Sequence, residues 1–369
     1  MTALSTPGVA EAITGWDMRP VWDDEVDAAL VCRRRSAITH DVTSFVFEAV
    51  EPRRFEYLPG QFMTIGLEID GQEIDRCYTI SSSPTRPYTI SITVKRVPGG
   101  PVSNWLHDNL QPGDIVKARG PLGQFTYAYH PAKKFLFLSG GSGITPVMSM
   151  LRTLHDLSAD VDAVFVHSAR TPADIVFRRE LDDIAAQSEN VRVAHICEAD
   201  SPTESWHGLR GRITAEALSQ ICRDFREREI FVCGPGPYMA AVAQILDDAG
   251  FDMGRHHQES FVIEELVAAT AEPAVGDPGA AATGFSVEFA KSGRRIEVPS
   301  GGFVLEAATA AGMNLASSCG QGLCGTCKVQ LVSGDVDMQH NGGVRPKEIA
   351  QGKILLCCSV PKTDLIVDA

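Results

Sequence analysis

Nothing in the 369-residue chain approaches the ~18 consecutive apolar residues of a membrane-spanning helix. Its start, Met1 to Pro20, has neither the basic cluster nor the apolar core of a secretory signal, so the expectation is a cytoplasmic protein. Positive charge is scarce, since 33 Lys and Arg against 47 Asp and Glu leave a formal charge of −14. Such a balance repels phosphate backbones and anionic lipid heads, which argues against nucleic-acid and membrane partners. No internal repeat is present, which excludes a solenoid. The polar, low-hydrophobicity signature of disorder is also missing, because 44% hydrophobic and 22% charged residues are ordinary for a globular chain. At roughly 150 residues per domain, the length implies two or three cores.

Three regions of different rhythm follow an N-terminal extension, residues 1–27, which holds Trp16 and Trp22 but no periodicity. Its tryptophans are suited to packing on a neighbouring surface. Over 28–130, short β-rich runs at 44–48, 62–65 and 88–94 are separated by Pro/Gly turns, the pattern of an antiparallel β-barrel. Over 131–262, apolar strands at 135–138, 161–167, 191–196 and 230–233 alternate with helical stretches that include 145–156 and 238–249. That alternation predicts an α/β doubly wound parallel sheet. Residues 263–283, rich in Ala, Pro, Gly and acid, read as a flexible linker to a third domain at 284–369.

The sharpest chemical signal is in that third domain. Cys319, Cys324 and Cys327 form C-x4-C-x2-C, and Cys357 follows after 29 intervening residues. This is the plant-type spacing for a 2Fe-2S cluster, which needs four thiolates converging on a small centre. Gly320, Gly322 and Gly325 let the loop curl and turn backbone N–H groups toward sulfur. A structural zinc site fits poorly, because zinc sites favour paired two-cysteine knuckles. Cys358 competes with Cys357 as fourth ligand by position alone. The remaining Cys32, Cys77, Cys197 and Cys222 have no partnering motif and read as packed thiols.

Upstream, Arg76-Cys77-Tyr78-Thr79-Ile80-Ser81-Ser82 sets a cation, an aromatic ring and hydroxyls on one strand-like stretch. Those groups suit a flavin: Tyr78 to stack on the ring, Thr79 to bond near N5, Arg76 to pair with phosphate. Gly99-Gly100-Pro101-Val102-Ser103 then opens a helical stretch read as 104–110, offering free N–H groups to a pyrophosphate. A second glycine turn, Gly140-Gly141-Ser142-Gly143-Ile144-Thr145-Pro146, joins an apolar strand to a helix, the phosphate cradle of dinucleotide sites. Cys233-Gly234-Pro235-Gly236-Pro237 ends another apolar strand and is expected beside the same ligand.

Together these motifs resemble the ferredoxin-NADP reductase superfamily joined to a C-terminal plant-type ferredoxin, over residue 28 to the end. Such fusions serve Rieske-type oxygenases and hybrid-cluster protein; residues 76–109 and 137–179 look most like the reductases of glycine betaine demethylation. The resemblance implies an α+β β-grasp ferredoxin domain and a path from NAD(P)H through FAD and 2Fe-2S to a separate Rieske-type oxygenase. It implies FAD, with FMN as the alternative, on Arg76, Tyr78, Thr79, Ser81, Thr93, Val94, Lys95, Gly100, Val102 and Ser103. It implies the nicotinamide nucleotide on Gly140, Gly141, Ser142, Gly143, Thr145, Pro146, Ser168, Arg170, Cys233, Gly234 and Pro235. Thr79, Cys233 and Phe261 are then the residues at the reacting rings, with Phe261 in a Glu259-Ser260-Phe261 segment that covers the flavin. Arg170 suits a 2′-phosphate while Asp174 lies close in sequence, so NADPH stays open beside the NADH the family favours. The cluster ligands are Cys319, Cys324, Cys327 and Cys357, the last because 354–357 matches the family's approach to its fourth cysteine.

Because NAD(P)H releases two electrons as hydride and the cluster takes one at a time, a flavin between them has a physical purpose. No Rieske Cys-x-His pair is present, so oxygenation falls to a partner. Other acceptors, hybrid-cluster protein among them, and a redox-sensor role are the alternative readings. The ferredoxin region, 285–369, carries eight basic and eight acidic residues and so implies no strongly charged docking face. His256-His257 are adjacent, unlike the i, i+4 pair of a helical metal face, and read as solvated. Trp105 and His107 read as helix packing.

Overall fold

In the first region, strands rich in β-branched and aromatic residues bury one face against the other side of the same sheet. The computed structural model describes residues 19–259 except Asp70, and 284–369 except Asn314, Ala316, Ser318, Cys319, Gln321 and Cys324. Six strands, β1 (Ala29–Ala37), β2 (Val42–Ala49), β3 (Phe62–Ile69), β4 (Gln72–Thr79), β5 (Ile90–Lys95) and β6 (Ile115–Leu122), pair antiparallel in the order β4-β3-β6-β1-β2-β5. A bridge between Ile80 and Ile92 links the end of β4 to β5 and closes the barrel. β6 shows the period-2 logic plainly: Val116, Ala118 and Leu122 are buried, while Ile115, Lys117 and Arg119 face out. Trp22 is buried against Phe55, ring centroids 5.5 Å apart, so the last part of the expected extension packs on the barrel.

Helix α1 (Pro101–Asp108) lies between β5 and β6 and drives Val102 and Leu106 into the barrel core. It starts three residues before the expected 104, because Pro101 at its first turn has the fixed φ that a helix start accepts.

The second region is a wholly parallel sheet of β7 (Lys134–Gly140), β8 (Asp162–Ala169), β9 (Val191–Cys197), β10 (Leu209–Arg210), β11 (Glu229–Cys233) and β12 (His256–Glu259), ordered β10-β9-β8-β7-β11-β12. Along β7, Phe135 and Phe137 face helices α2 (Ile144–Asp156) and α3 (Arg178–Gln187). Leu136 and Leu138 face α4 (Ala215–Ile221) and α5 (Gly236–Asp248) on the opposite side. Burial on both faces explains why these strands read as continuous apolar runs. The strand order reverses between β7 and β11, and ligands of such sheets bind at the carboxyl ends beside that reversal.

Five strands of the third region, β13 (Phe285–Phe289), β14 (Arg294–Val298), β15 (Lys328–Ser333), β17 (Lys353–Leu355) and β19 (Leu365–Asp368), form a mixed sheet ordered β14-β13-β19-β15-β17. A ribbon of β16 (Val336–Met338) and β18 (Ser359–Pro361) stands beside it. Helix α6 (Val304–Ala310) contributes Val304 and Ala308 to the core, and a short α7 (Pro346–Ala350) follows β16. No helix among the described residues is long and apolar enough to cross a membrane. The expected linker 263–283 lies outside the described residues, as do residues 1–18 of the extension.

One charge sits deep in the parallel domain. Arg228 is fully buried, held by Asp162 at 2.7 Å, Asp224 at 2.9 Å and the Phe135 carbonyl at 3.1 Å. Hydrogen bonds from Arg228 and Lys134 hold Asp224 well below the ordinary carboxylate range despite its burial. Arg228→Ala removes this knot at the start of β11 and should cost about 3–5 kcal/mol. Urea unfolding followed by far-UV circular dichroism measures it; an unchanged midpoint would show that the knot contributes nothing.

Candidate functional site

At the reversal point the two glycine loops meet backbone to backbone. A Cβ on Gly143 would sit 2.4 Å from the Cys233 carbonyl carbon, and one on Gly234 only 2.8 Å from the Tyr238 ring and 3.1 Å from the Gly140 nitrogen. Gly140 itself would meet Tyr238 at 3.1 Å and Pro235 at 3.2 Å. Side chains are excluded, which leaves a backbone-lined cradle of the kind a phosphate approaches. Gly141 has a φ of +53°, and the tight turn Gly141–Gly143 delivers Ile144 straight into α2. Thr145 is buried and donates to the Ser142 carbonyl at 3.2 Å, while Pro146 is buried in the helix's first turn. Ser168 pairs in register with Gly140 on the next strand, and Arg170 follows just beyond. Arg170 is largely exposed and already paired with Asp174 at 3.2 Å, with Asp41 at 3.9 Å.

One register row crosses the sheet through His195, His167, Ser139, Cys233 and Glu259. Ser139 Oγ bonds His167 Nδ1 at 2.8 Å, and complete burial brings the imidazole pKa down to about 3, so that ring is neutral. Burial raises the Cys233 thiol well above its ordinary value, which makes it a packed thiol. Glu259 has Oε2 buried without a partner, and desolvation pushes the carboxyl up to about 8. Ser260 and Phe261 lie outside the described residues. Ser139 and His167 were not anticipated as parts of this row; only a serine interrupting the apolar run before Gly140 hinted at it.

On the barrel, Arg76, Tyr78 and Thr79 end β4, paired with Ile65, Met63 and Phe62 of β3. Arg76 Nε and Thr79 Oγ1 are both buried with no protein partner, which is the signature of groups shaped for a ligand. Ser81 and Thr93, both buried, lie side by side. Their hydroxyls are 2.9 Å apart, and Thr93 also meets Ser44 at 2.7 Å, so the side chains satisfy one another. Val94 is buried and its carbonyl bonds His107 Nε2 at 2.9 Å; Lys95 is drawn to Asp41 at 3.4 Å. Gly100 caps α1, Val102 is buried, and Ser103 Oγ accepts from the Val97 N–H at 3.2 Å.

Helix α2 ties the two sites together. Ser149 donates to the Ser82 carbonyl at 2.6 Å, Arg152 bonds the Ser81 carbonyl, and Thr153 meets Ser83 at 3.2 Å. Asp156 at its end receives Thr85 and both ends of the Arg86 fork. The helix that begins at the glycine cradle is therefore fastened along its length to the segment that follows Thr79.

Of the four expected cluster ligands, Cys327 and Cys357 are described, both buried; Cys319 and Cys324 lie outside the described residues. The Gly322 N–H donates to Cys357 Sγ at 3.2 Å, the contact expected of a cluster loop, whereas Cys358 Sγ points to the Leu355 carbonyl at 3.7 Å. Gly320, Gly322 and Gly325 all have positive φ. The neighbouring loop rests on the barrel: a Cβ on Gly342 would be 2.9 Å from the Gly123 Cα. Arg345 reaches across to Asp24 and to the Gly120 carbonyl, each at 3.0 Å, and Asp24 accepts the Gly120 N–H at 2.7 Å. Leu122 pairs with Phe62, which pairs with Thr79, so the corner under the cluster loop lies one strand from Thr79. No sequence signal pointed to Asp24 or Arg345, which are far apart in the chain.

Sequence models of three families match in succession: an oxidoreductase FAD-binding domain over 29–127, an oxidoreductase NAD-binding domain over 137–244, and a 2Fe-2S iron-sulfur cluster binding domain over 287–362. The chain is 49% identical to a glycine betaine monooxygenase reductase subunit of Pseudomonas aeruginosa over 336 residues, 89% of this chain and 92% of the relative. It is 47% identical to the subunit of that name from Chromohalobacter salexigens over 342 residues, 89% of this chain and 92% of the relative. Phthalate dioxygenase reductase, at 24% identity and a TM-score of 0.56 over 94% of this chain and 99% of that one, shares the three-domain fold. With identity of this order across nearly the whole of both chains, this protein belongs to the glycine betaine monooxygenase reductase family of FAD-, NAD- and 2Fe-2S-binding oxidoreductases.

Proposed function

We propose that the chain acts in the cytoplasm, taking electrons from NADH and delivering them to a separate Rieske-type oxygenase that demethylates glycine betaine. The observation that carries this reading is the near full-length identity to two reductase subunits named for glycine betaine. The chemistry supplied by bound FAD is the conversion of one hydride into two single electrons for the 2Fe-2S cluster.

Each site fits its group. Arg76 Nε and Thr79 Oγ1 are buried donors left for the FAD phosphate and ring edge, Tyr78 lies between them, and the start of α1 at Gly100 to Ser103 receives the pyrophosphate. Thr93, Val94 and Lys95 hold FAD through backbone position, since Thr93 and Ser81 spend their hydroxyls on each other. The cradle from Gly140 to Pro146 with Cys233, Gly234 and Pro235 holds the nicotinamide nucleotide, Ser168 and Arg170 the adenosine side. The family resemblance assigns Phe261 to the flavin ring, and Cys319, Cys324, Cys327 and Cys357 to the cluster. NADH is preferred over NADPH because Asp174 and Asp41 already neutralise Arg170 and would repel a 2′-phosphate. The working units are 28–130, 131–262 and 284–369, joined by 263–283.

Three measurements test these assignments. Protein mixed with NADH, a glycine betaine-type Rieske oxygenase and glycine betaine should release formaldehyde only when every component is present. Rapid NADH-driven dye reduction with no formaldehyde would refute the acceptor while leaving the reductase.

The second concerns Glu259. Its folded pKa of about 8 lies above the reference 4.5, so the fold keeps the proton that the unfolded chain loses. Its stabilising share is full below about 4.5 and falls as pH rises toward and through about 8. Melting temperature should decline across that window, and Glu259→Gln should flatten the decline; identical slopes would sink the assignment.

The third is Arg345→Ala. Flavin reduction by NADH should stay at the wild-type rate while the following electron transfer to the cluster slows several-fold in stopped flow. Unchanged cluster reduction would show that the contact with Asp24 and Gly120 does not position the ferredoxin domain.

A further inference from the structure

His257, whose adjacency to His256 reads in the sequence as a solvated pair, is instead held in a half-buried cluster with His130 and Glu229. Alternate residues of a strand face opposite sides, so β12 separates the two imidazoles. The His257 ring stacks on His130, centroids 3.7 Å apart, over Phe231 at 4.8 Å. Its Nε2 lies 2.5 Å from Glu229 Oε1, and the two side chains are only 15% and 13% exposed. These residues come from three segments: the end of the turn that leads out of the barrel, the start of β11, and the edge strand β12.

The ligand-type atoms of His130, Glu229 and His257 all lie within 4.8 Å of one another. A tetrahedral zinc ion with bonds of ~2.1 Å holds its ligand atoms ~3.4 Å apart, so binding requires the three side chains to close up and the stacked imidazoles to rotate until both nitrogen lone pairs point at the ion. Two imidazole nitrogens and one carboxylate oxygen are borderline ligands that favour zinc-class ions over calcium or magnesium, and they leave a fourth position for water. Phe231 beneath the rings excludes water on one side.

We propose that His130, Glu229 and His257 form a binding site for one zinc-class divalent ion, which fastens the exit of the barrel to the edge strand that ends at Glu259. The ion takes the place of the hydrogen bond between His257 Nε2 and Glu229 Oε1, whose hydrogen is released to solvent.

Equilibrium dialysis of the FAD- and cluster-loaded protein against Zn²⁺, with bound metal counted by atomic absorption, tests the site. Wild type and His40→Ala, a change at the exposed histidine of the separate His40-Asp41-Asp174 group, should each take up one Zn²⁺ per chain at equal affinity. His130→Ala and His257→Ala should weaken that binding by more than the roughly 10–100-fold loss typical of an outer-shell partner. Flavin content and far-UV circular dichroism check folding, and Glu229→Gln supplies a variant of unchanged size expected to weaken binding in the same direction. Anomalous scattering at the zinc edge should put the ion between these three side chains. No uptake by wild type, undiminished uptake by the folded variants, or an ion found elsewhere would each overturn the proposal.

Discussion

A hydride moves only between rings held in contact, so the constraint on which everything else depends is the fixed relation between the end of β4 and the Gly140–Gly143 turn, the proposed flavin and nicotinamide sites. Helix α2 imposes it. Its first turn is the end of the glycine cradle, and its later turns carry Ser149, Arg152, Thr153 and Asp156, each bonded to the stretch from Ser81 to Arg86. Because that stretch continues directly from Thr79, a shift of the parallel sheet against the barrel must break several buried or half-buried hydrogen bonds together. The two domains thus share one rigid spacer that belongs by packing to one and by hydrogen bonding to both.

Close backbone contact performs the matching task at the mouth of the parallel sheet. Gly143 against Cys233, and Gly234 against Gly140, leave no volume for a Cβ, so the loops after β7 and β11 cannot drift apart without losing their packing. The polar row under them is uncharged at neutral pH: His167 stays neutral, Cys233 stays a thiol, and Glu259 keeps its proton across most of the physiological range. An uncharged floor avoids placing a fixed carboxylate opposite the anionic nucleotide.

Local chemistry was legible in the sequence, and long-range chemistry was not. The cysteine loop and the two glycine turns need particular residues at short spacing, so their purpose shows without coordinates. The strands of the parallel sheet were readable because burial on both faces demands an unbroken apolar run. The hydroxyl chain from Ser44 through Thr93 to Ser81 was invisible, since it depends on the pairing of β2 with β5 and on the segment that follows β4. The same holds for Arg345 with Asp24, and for His130, Glu229 and His257, which no local pattern connects. Helix α1 starts at Pro101, inside the segment read as leading into it, because proline's fixed φ suits a first-turn position.

The contact of Arg345 with Asp24 and Gly120 is small and partly open to water, with the guanidinium about a third exposed. Between separate proteins, so slight a contact would rarely hold. Here both sides belong to one polypeptide, and covalent connection raises the local concentration of one module around the other to the order of millimolar. Docking can then rely on an interaction that is cheap to release. The seat of the ferredoxin module is thus held by the connection of the chain as much as by the strength of the contact itself.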